Sequence, residues 1–276
     1  MKSIKIYIAA ILTLFMVNSS VAAESVLNQI LSSGVLKAGT TGDFYPFSKR
    51  DTATNSYEGY DIDILNELAK DLDVEIEFVA TDWKTLVNGI VSEKYYITGS
   101  ASIKASRMKA SGFSDPYTAV VTKAYTTDDK IDRFNGWDSI NQADVHVATT
   151  LGTSFETQVE NWFADAKITK VEAPARGYQE VLVGRADVFV TSNIEGGSLL
   201  SKYPNLREIP VEAPRAPVPL AMLLPQADQV WINYVNSWIK IKEARGFFKA
   251  TADTVSYTHL RAHETLRYLV CRLLLE

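Results

Sequence analysis

Arg107 stands five residues beyond Ser102 in the stretch that begins Ser100-Ala101-Ser102-Ile103. Hydroxyls at the end of a strand followed by an arginine suit a carboxylate, which wants a planar, two-pronged donor. A lone arginine at such a place is equally well a solvated surface group. A second candidate is Thr40-Thr41-Gly42-Asp43-Phe44-Tyr45-Pro46-Phe47, where three aromatics surround a glycine and a proline. Aromatic faces at a strand end can stack on a ligand, or the loop can simply tuck into a core. His146 sits inside the apolar alternation Val145-His146-Val147, which reads as a packed or edge histidine rather than a member of a triad. No phosphate-binding glycine loop, dinucleotide fingerprint or GxSxG elbow occurs in the chain. The residues left for chemistry point to small-molecule recognition by polar turns, aromatic faces and one arginine.

Composition narrows the field in the same direction. The 276 residues carry 28 Lys and Arg against 33 Asp and Glu, a net charge of −5, and 46% are apolar. That is a globular composition with enough apolar mass for a sizeable core. Without a basic stripe, binding to nucleic acid is not expected. The single cysteine, Cys271, excludes an intrachain disulfide and a cysteine zinc cage, and three histidines leave little for a metal. No cofactor is expected.

Both ends read as something other than fold. Lys2 and Lys5 precede an apolar run from Ile6 to Val17, and Val21-Ala22-Ala23 is a small-residue cleavage site. This is the pattern of a secretory signal over residues 1–23. Its apolar run is shorter than the roughly 20 residues that span a bilayer. The expected product starts near Glu24, is exported to the periplasm and does not insert in the membrane. At the other end, residues 256–276 resemble translated sequencing-adapter read-through, with a terminal amphipathic helix as the alternative. That tail holds Cys271, His259 and His263. The remaining chain has 23 Lys and Arg against 31 Asp and Glu, a charge of −8.

Between the ends, strand and helix signals alternate, as in an α/β protein with largely parallel sheets. The spacing predicts a helix around Val26 to Leu31 stopped by Gly34, a strand over Val35 to Thr40, and a helix capped by Asp61 with Ile62, Leu65, Leu68 and Leu72 on one face. Val74, Ile76 and Phe78 alternate with glutamates as a half-exposed strand, and a helix is expected from Asp82 to Val91. A second set follows: strand Val145 to Thr149, turn Gly152-Thr153-Ser154, helix Phe155 to Ala164, helix Arg176 to Val183 and strand Asp187 to Thr191. Val230 to Phe248 reads as one closing helix. The pattern gives two lobes, residues 24–123 plus 218–255 and residues 124–217, crossed near Thr122 to Tyr125 and near Ala216 to Met222. A ligand then belongs in the cleft between them, at the carboxyl ends of strands.

The ordered set Gly34-Val35-Leu36-Lys37, Thr40 to Phe44 with Pro46-Phe47, Gly59-Tyr60-Asp61-Ile62-Asp63, Ser102-Ile103 with Arg107, and Ser114-Asp115-Pro116-Tyr117 resembles the family 3 periplasmic solute-binding proteins. Within that family it is similar to the branch holding the cyclohexadienyl dehydratases. The resemblance implies two α/β lobes, each a mostly parallel sheet flanked by helices, joined by a two-stranded hinge and closing on a ligand. It implies a monomer that serves an ABC importer permease and binds a small carboxylate or amino-acid-like molecule.

The resemblance also assigns residues. It makes Arg107 the carboxylate clamp with Ser100 and Ser102 beside it, and Phe44 and Trp83 the apolar walls. Thr153 and Ser154 belong to a second-lobe turn whose amides face the carboxylate. Thr191 to Glu195, with Ser192 and Asn193, form the cleft floor. Amino-acid binders of the family carry an aspartate where Ser192 stands, and that aspartate holds the α-ammonium. A plain carboxylate ligand is the expectation that follows. In the dehydratase branch the general acid is a glutamate matched by Glu195, assisted by an aspartate matched by Asp43. The alternative function is therefore prephenate or arogenate dehydration without a cofactor.

Overall fold

The computed structural model describes residues 24–211 and 217–254; the expected leader and C-terminal tail lie outside them. In chain order the elements are α1 (Val26–Ser33), β1 (Val35–Thr40), β2 (Asp43–Phe44), β3 (Ser48–Arg50), β4 (Tyr57–Glu58), α2 (Tyr60–Asp71), β5 (Glu75–Ala80), α3 (Leu86–Val91), β6 (Ile97–Ser102), α4 (Ala105–Met108), β7 (Gly112–Phe113) and β8 (Thr118–Thr127). After a 3-10 turn at Ile131–Arg133 come α5 (Trp137–Ile140), β9 (His146–Thr150), α6 (Ser154–Trp162), β10 (Lys167–Val171), α7 (Gly177–Leu182), β11 (Val188–Ser192), α8 (Asn193–Lys202) and β12 (Leu206–Glu208). β13 (Pro217–Leu224), α9 (Gln229–Ala244) and α10 (Phe247–Thr254) complete the described chain.

The main sheet runs in the order β10-β9-β11-β8-β13-β6-β1-β5. In one half, β1 pairs in parallel with β5 and β6; in the other, β9 pairs in parallel with β10 and β11. β8 and β13 are antiparallel to each other and lie between the halves. The start of β8 pairs with β13, with Val121 opposite Pro217, and its end pairs with β11, with Thr122 opposite Ser192. These two strands carry the chain across. The fold is thus the two-lobed α/β architecture with a two-stranded connection, as the sequence pattern predicts.

Local sequence explains most of the elements. β11 is buried along its whole length, which its run Val188-Phe189-Val190 supports. β5 alternates between exposed and half-buried, as its glutamates require. In α2, Ile64, Leu65, Leu68 and Ala69 point into the first core, where they meet Leu36 and Ala38 of β1 and Trp231 of α9. The second lobe has its own core around Trp137, Val147, Val159, Phe163 and Val190. Asp228 ties the ends of the first lobe together. Its carboxylate caps α9 by accepting from Trp231 N at 2.9 Å and also accepts from Val26 N at 2.6 Å and from the Ser25 hydroxyl.

Three expectations change. Asp61 does not cap α2: Gly59 precedes the helix, and Asp61 is a buried first-turn residue. Its carboxylate turns inward because it accepts from the Tyr117 hydroxyl at 2.6 Å. The helix expected from Asp82 is shorter, since the Asp82 carboxylate accepts from Thr85 N and holds a turn before α3. The closing helix is two helices, broken at Gly246, whose φ of +71° is left-handed. No atom lies within 4 Å of where a Cβ would sit on Gly246, so crowding plays no part there. Gly246→Ala is therefore expected to cost only the left-handed backbone penalty, about 1–2 kcal/mol, read as a lower urea midpoint with an unchanged slope.

Candidate functional site

Between the two halves of the sheet lies a tight cavity walled by residues of both lobes. Asp43, Phe44, Trp83, Ser100, Ser102 and Leu220 come from the first, and Thr150, Thr153, Phe155, Arg176, Thr191 and Glu195 from the second. A wider, more open outer space adjoins it, and Asp43, Arg176 and Glu195 line both.

At one end the lobes meet over Gly152. Its φ of +83° is left-handed, and an added Cβ would come within 2.6–2.7 Å of the Trp83 and Lys84 backbone, so the two main chains approach too closely for a side chain. The Gly152 carbonyl accepts from Arg107 Nη2 at 3.1 Å and from Lys104 Nζ at 3.2 Å. Arg107 is buried, and its Nη1 donates to the Ser102 carbonyl at 3.2 Å. Its guanidinium carbon lies 6.0 Å from the centre of the Trp83 ring. Burial lowers the pKa of Arg107 to about 10 and, with Arg107 as a neighbouring charge, that of Lys104 to about 8. The Ser102 and Ser154 hydroxyls are 3.0 Å apart across the cleft. Thr153 caps α6, its hydroxyl accepting from Glu156 N.

Ser100 also faces the cavity, with a left-handed φ of +44°. Its amide donates to the Tyr117 hydroxyl at 2.7 Å, and that hydroxyl donates in turn to Asp61. Asp61 is fully enclosed, with its side chain against Gly99, where no Cβ would fit. Burial pushes its pKa up to about 7, against the opposing pull of the Tyr117 and Ser100 hydrogen bonds.

The opposite end is built on an interlobe ion pair. Arg176 Nη1 donates to Asp43 Oδ2 at 2.7 Å, and Trp83 Nε1 donates to Asp43 Oδ1 at 2.9 Å. Glu195 lies beside this pair, nine-tenths buried, with Oε2 accepting from the Thr191 hydroxyl. Burial raises the Glu195 pKa and outweighs the opposing pull of Arg176 and of the Thr191 hydrogen bond; the Asp43 charge adds to the rise.

The structure gathers Asp43, Phe44, Trp83, Ser100, Ser102, Thr153 and Glu195 on the cavity wall. Arg107 and Ser154 lie behind it, in contact through Ser102. Ser192 and Asn193, expected on the floor, are buried behind it and do not line the cavity, their side chains being committed elsewhere. The Ser192 hydroxyl accepts from Glu195 N at 3.0 Å as the cap of α8, and the Asn193 side-chain oxygen accepts from Val121 N at 2.9 Å where β8 passes between lobes. Sequence reasoning missed Arg176. Its partner Asp43 is 133 positions away, and the only local sign was a helix start. His146 is a half-buried strand residue with Nε2 2.5 Å from Thr169 Oγ1 on β10. Among the described residues no group of three or more His, Cys, Asp and Glu is placed to hold a metal, and no helix is long and apolar enough to cross a membrane.

The model of the bacterial extracellular solute-binding proteins, family 3, matches residues 36–254. The chain belongs to that family. This family 3 protein is 31% identical over 229 residues to the cyclohexadienyl dehydratase of Pseudomonas aeruginosa, covering 83% of this chain and 85% of the relative. It is also 31% identical over 166 residues to an L-cystine-binding protein of Bacillus subtilis, covering 58% of each chain. Among solved structures it superposes on an ancestral amino acid-binding protein described as a precursor of cyclohexadienyl dehydratase, with a TM-score of 0.77 and 31% identity, over 83% of this chain and 99% of that one.

Proposed function

We propose that this family 3 protein is a periplasmic solute-binding protein that delivers a small carboxylate or amino-acid-like ligand to an ABC importer. The observation that carries this reading is the interlobe cavity with Ser100, Ser102 and Trp83 on its wall and, directly behind Ser102, Arg107, a buried guanidinium bonded to carbonyls of both lobes. A ligand carboxylate set between the lobes at this corner would accept from Arg107 and Ser102 of the first lobe and from Thr153 of the second, so its set of hydrogen bonds is complete only when the lobes are together. Its binding free energy therefore shifts the population toward closure, the form an importer would read. We assign Arg107, Ser100, Ser102, Thr153 and Ser154 to the carboxylate corner, Phe44 and Trp83 to the walls, and the Thr191 to Glu195 segment to the floor.

The second reading is cyclohexadienyl dehydration. It is favoured by Glu195, a buried carboxyl held toward its protonated form next to the Trp83–Asp43 pair. There Glu195 would protonate the leaving hydroxyl of prephenate or arogenate as the ring carboxylate departs as carbon dioxide. Residues 24–255 incubated with prephenate and with arogenate decide between the two. Binding predicts no turnover, together with a thermal shift from one or more members of a panel of carboxylates and amino acids. Turnover that disappears in Glu195→Gln would establish the enzyme instead.

A further inference from the structure

The geometry points to Arg176 as the specificity-determining residue of the cleft: it excludes ligands with a cationic distal group and admits those whose distal end is neutral or anionic. The inference rests on the proposed binding of a carboxylate at the Arg107 corner. A ligand anchored there has its other end directed to the far side of the cavity, where Asp43, Arg176 and Glu195 form the neck to the outer space.

Charge at that neck decides what fits. Asp43 is doubly engaged, by Arg176 on one oxygen and by Trp83 on the other. An incoming ammonium or guanidinium finds this carboxylate already neutralised, and meets a like charge at Arg176. Glu195 offers little to a cation, because burial holds it toward its neutral form and one of its oxygens is taken by Thr191. Beyond the neck the outer space is lined by Lys202 as well as Arg176, together with Lys49, which is paired with Glu58 at 2.6 Å, and Tyr45 and Tyr178. A long cationic side chain passing through would face further positive charge. In contrast, the Arg176 fork spends Nη1 on Asp43 and has further N–H donors for an amide or carboxylate oxygen. Rejection of a partner by a like charge and an already paired counter-charge is a recognised source of specificity.

The test uses L-lysine, L-arginine, L-glutamine and L-glutamate as probes, titrated by calorimetry into the wild-type chain and Arg176→Gln. Removing the guanidinium frees Asp43 for a cation. Arg176→Gln is expected to bind lysine or arginine at least tenfold more tightly than the wild type and glutamate more weakly. Arg176→Lys, which keeps the charge, should preserve the wild-type order. Should Arg176→Gln not fold, Asp43→Asn serves in its place. It leaves Arg176 without its carboxylate and should raise glutamate affinity at least tenfold. Wild-type binding of lysine or arginine as tight as that of glutamine or glutamate would overturn the inference. So would an unchanged order in Arg176→Gln, or in Asp43→Asn where that variant replaces it. If the wild type binds none of the four, the carboxylate-binding reading is weakened separately, while gained lysine or arginine binding in Arg176→Gln still supports the selector.

Discussion

Arg107→Ala is expected to weaken every carboxylate that binds the wild-type chain by about thirtyfold or more. Removing one partner of a buried, hydrogen-bonded charge contact costs about 2–5 kcal/mol, and a factor of ten in affinity is about 1.4 kcal/mol. The substitution does more than delete a ligand contact. It leaves the Ser102 carbonyl without its Arg107 hydrogen bond and leaves the Gly152 carbonyl to Lys104 alone, so the closed arrangement loses a link between lobes in the absence of ligand. Arg107→Lys should fall between the two, because an ammonium keeps the charge and loses the planar fork. Calorimetric titration of the three proteins with a ligand identified by thermal shift reads the effect. Equal affinities would show that the carboxylate is held elsewhere.

Asp61→Asn is expected to change how stability depends on pH. In the unfolded chain an aspartate loses its proton near the ordinary value of 3.8, whereas in the fold Asp61 holds its proton up to about 7. Between these values the folded state binds more protons than the unfolded state, so this group makes the protein less stable as pH rises through the window. The full difference corresponds to about 4 kcal/mol at the upper end. An asparagine carries no such proton, and its side-chain oxygen still accepts from Tyr117. Urea unfolding of both proteins from pH 4.5 to pH 7.5 should therefore show the wild type losing stability relative to Asp61→Asn as pH rises. Parallel pH profiles would mean that Asp61 is not protonated in the fold.

Asp61 also shows where a sequence stops being informative. The helix it starts was readable, because Ile62, Leu65, Leu68 and Ala69 recur at the helical period. Its role as a cap was read wrongly, because an acidic residue at a helix start looks the same whether it caps a turn or meets a tyrosine 56 positions later. The two-lobed fold follows from strand and helix order, which is local. The proposed carboxylate corner is also largely local, since Ser100, Ser102 and Arg107 lie within a few residues of one another. Arg176 was not legible. Its meaning comes from Asp43 in the other lobe, and no periodicity or motif records that pairing. Ser192 and Asn193 are expected on the floor from the family resemblance, yet they do not line the cavity. That their side chains serve a helix start and a crossing strand depends on the direction of α8, which only the assembled fold sets.

The place where β8 leaves one half of the sheet for the other has a mechanical meaning. Val121 is opposite Pro217, a residue with no N–H to give, and the Val121 amide is satisfied by the Asn193 side chain rather than by a neighbouring strand. One rung of backbone bonding is replaced there by a buried side chain at the start of α8. Away from this crossing the lobes are tied to each other at the Gly152 carbonyl and at the Asp43–Arg176 pair, so a change at either site acts on the contact between lobes without touching the strands that connect them.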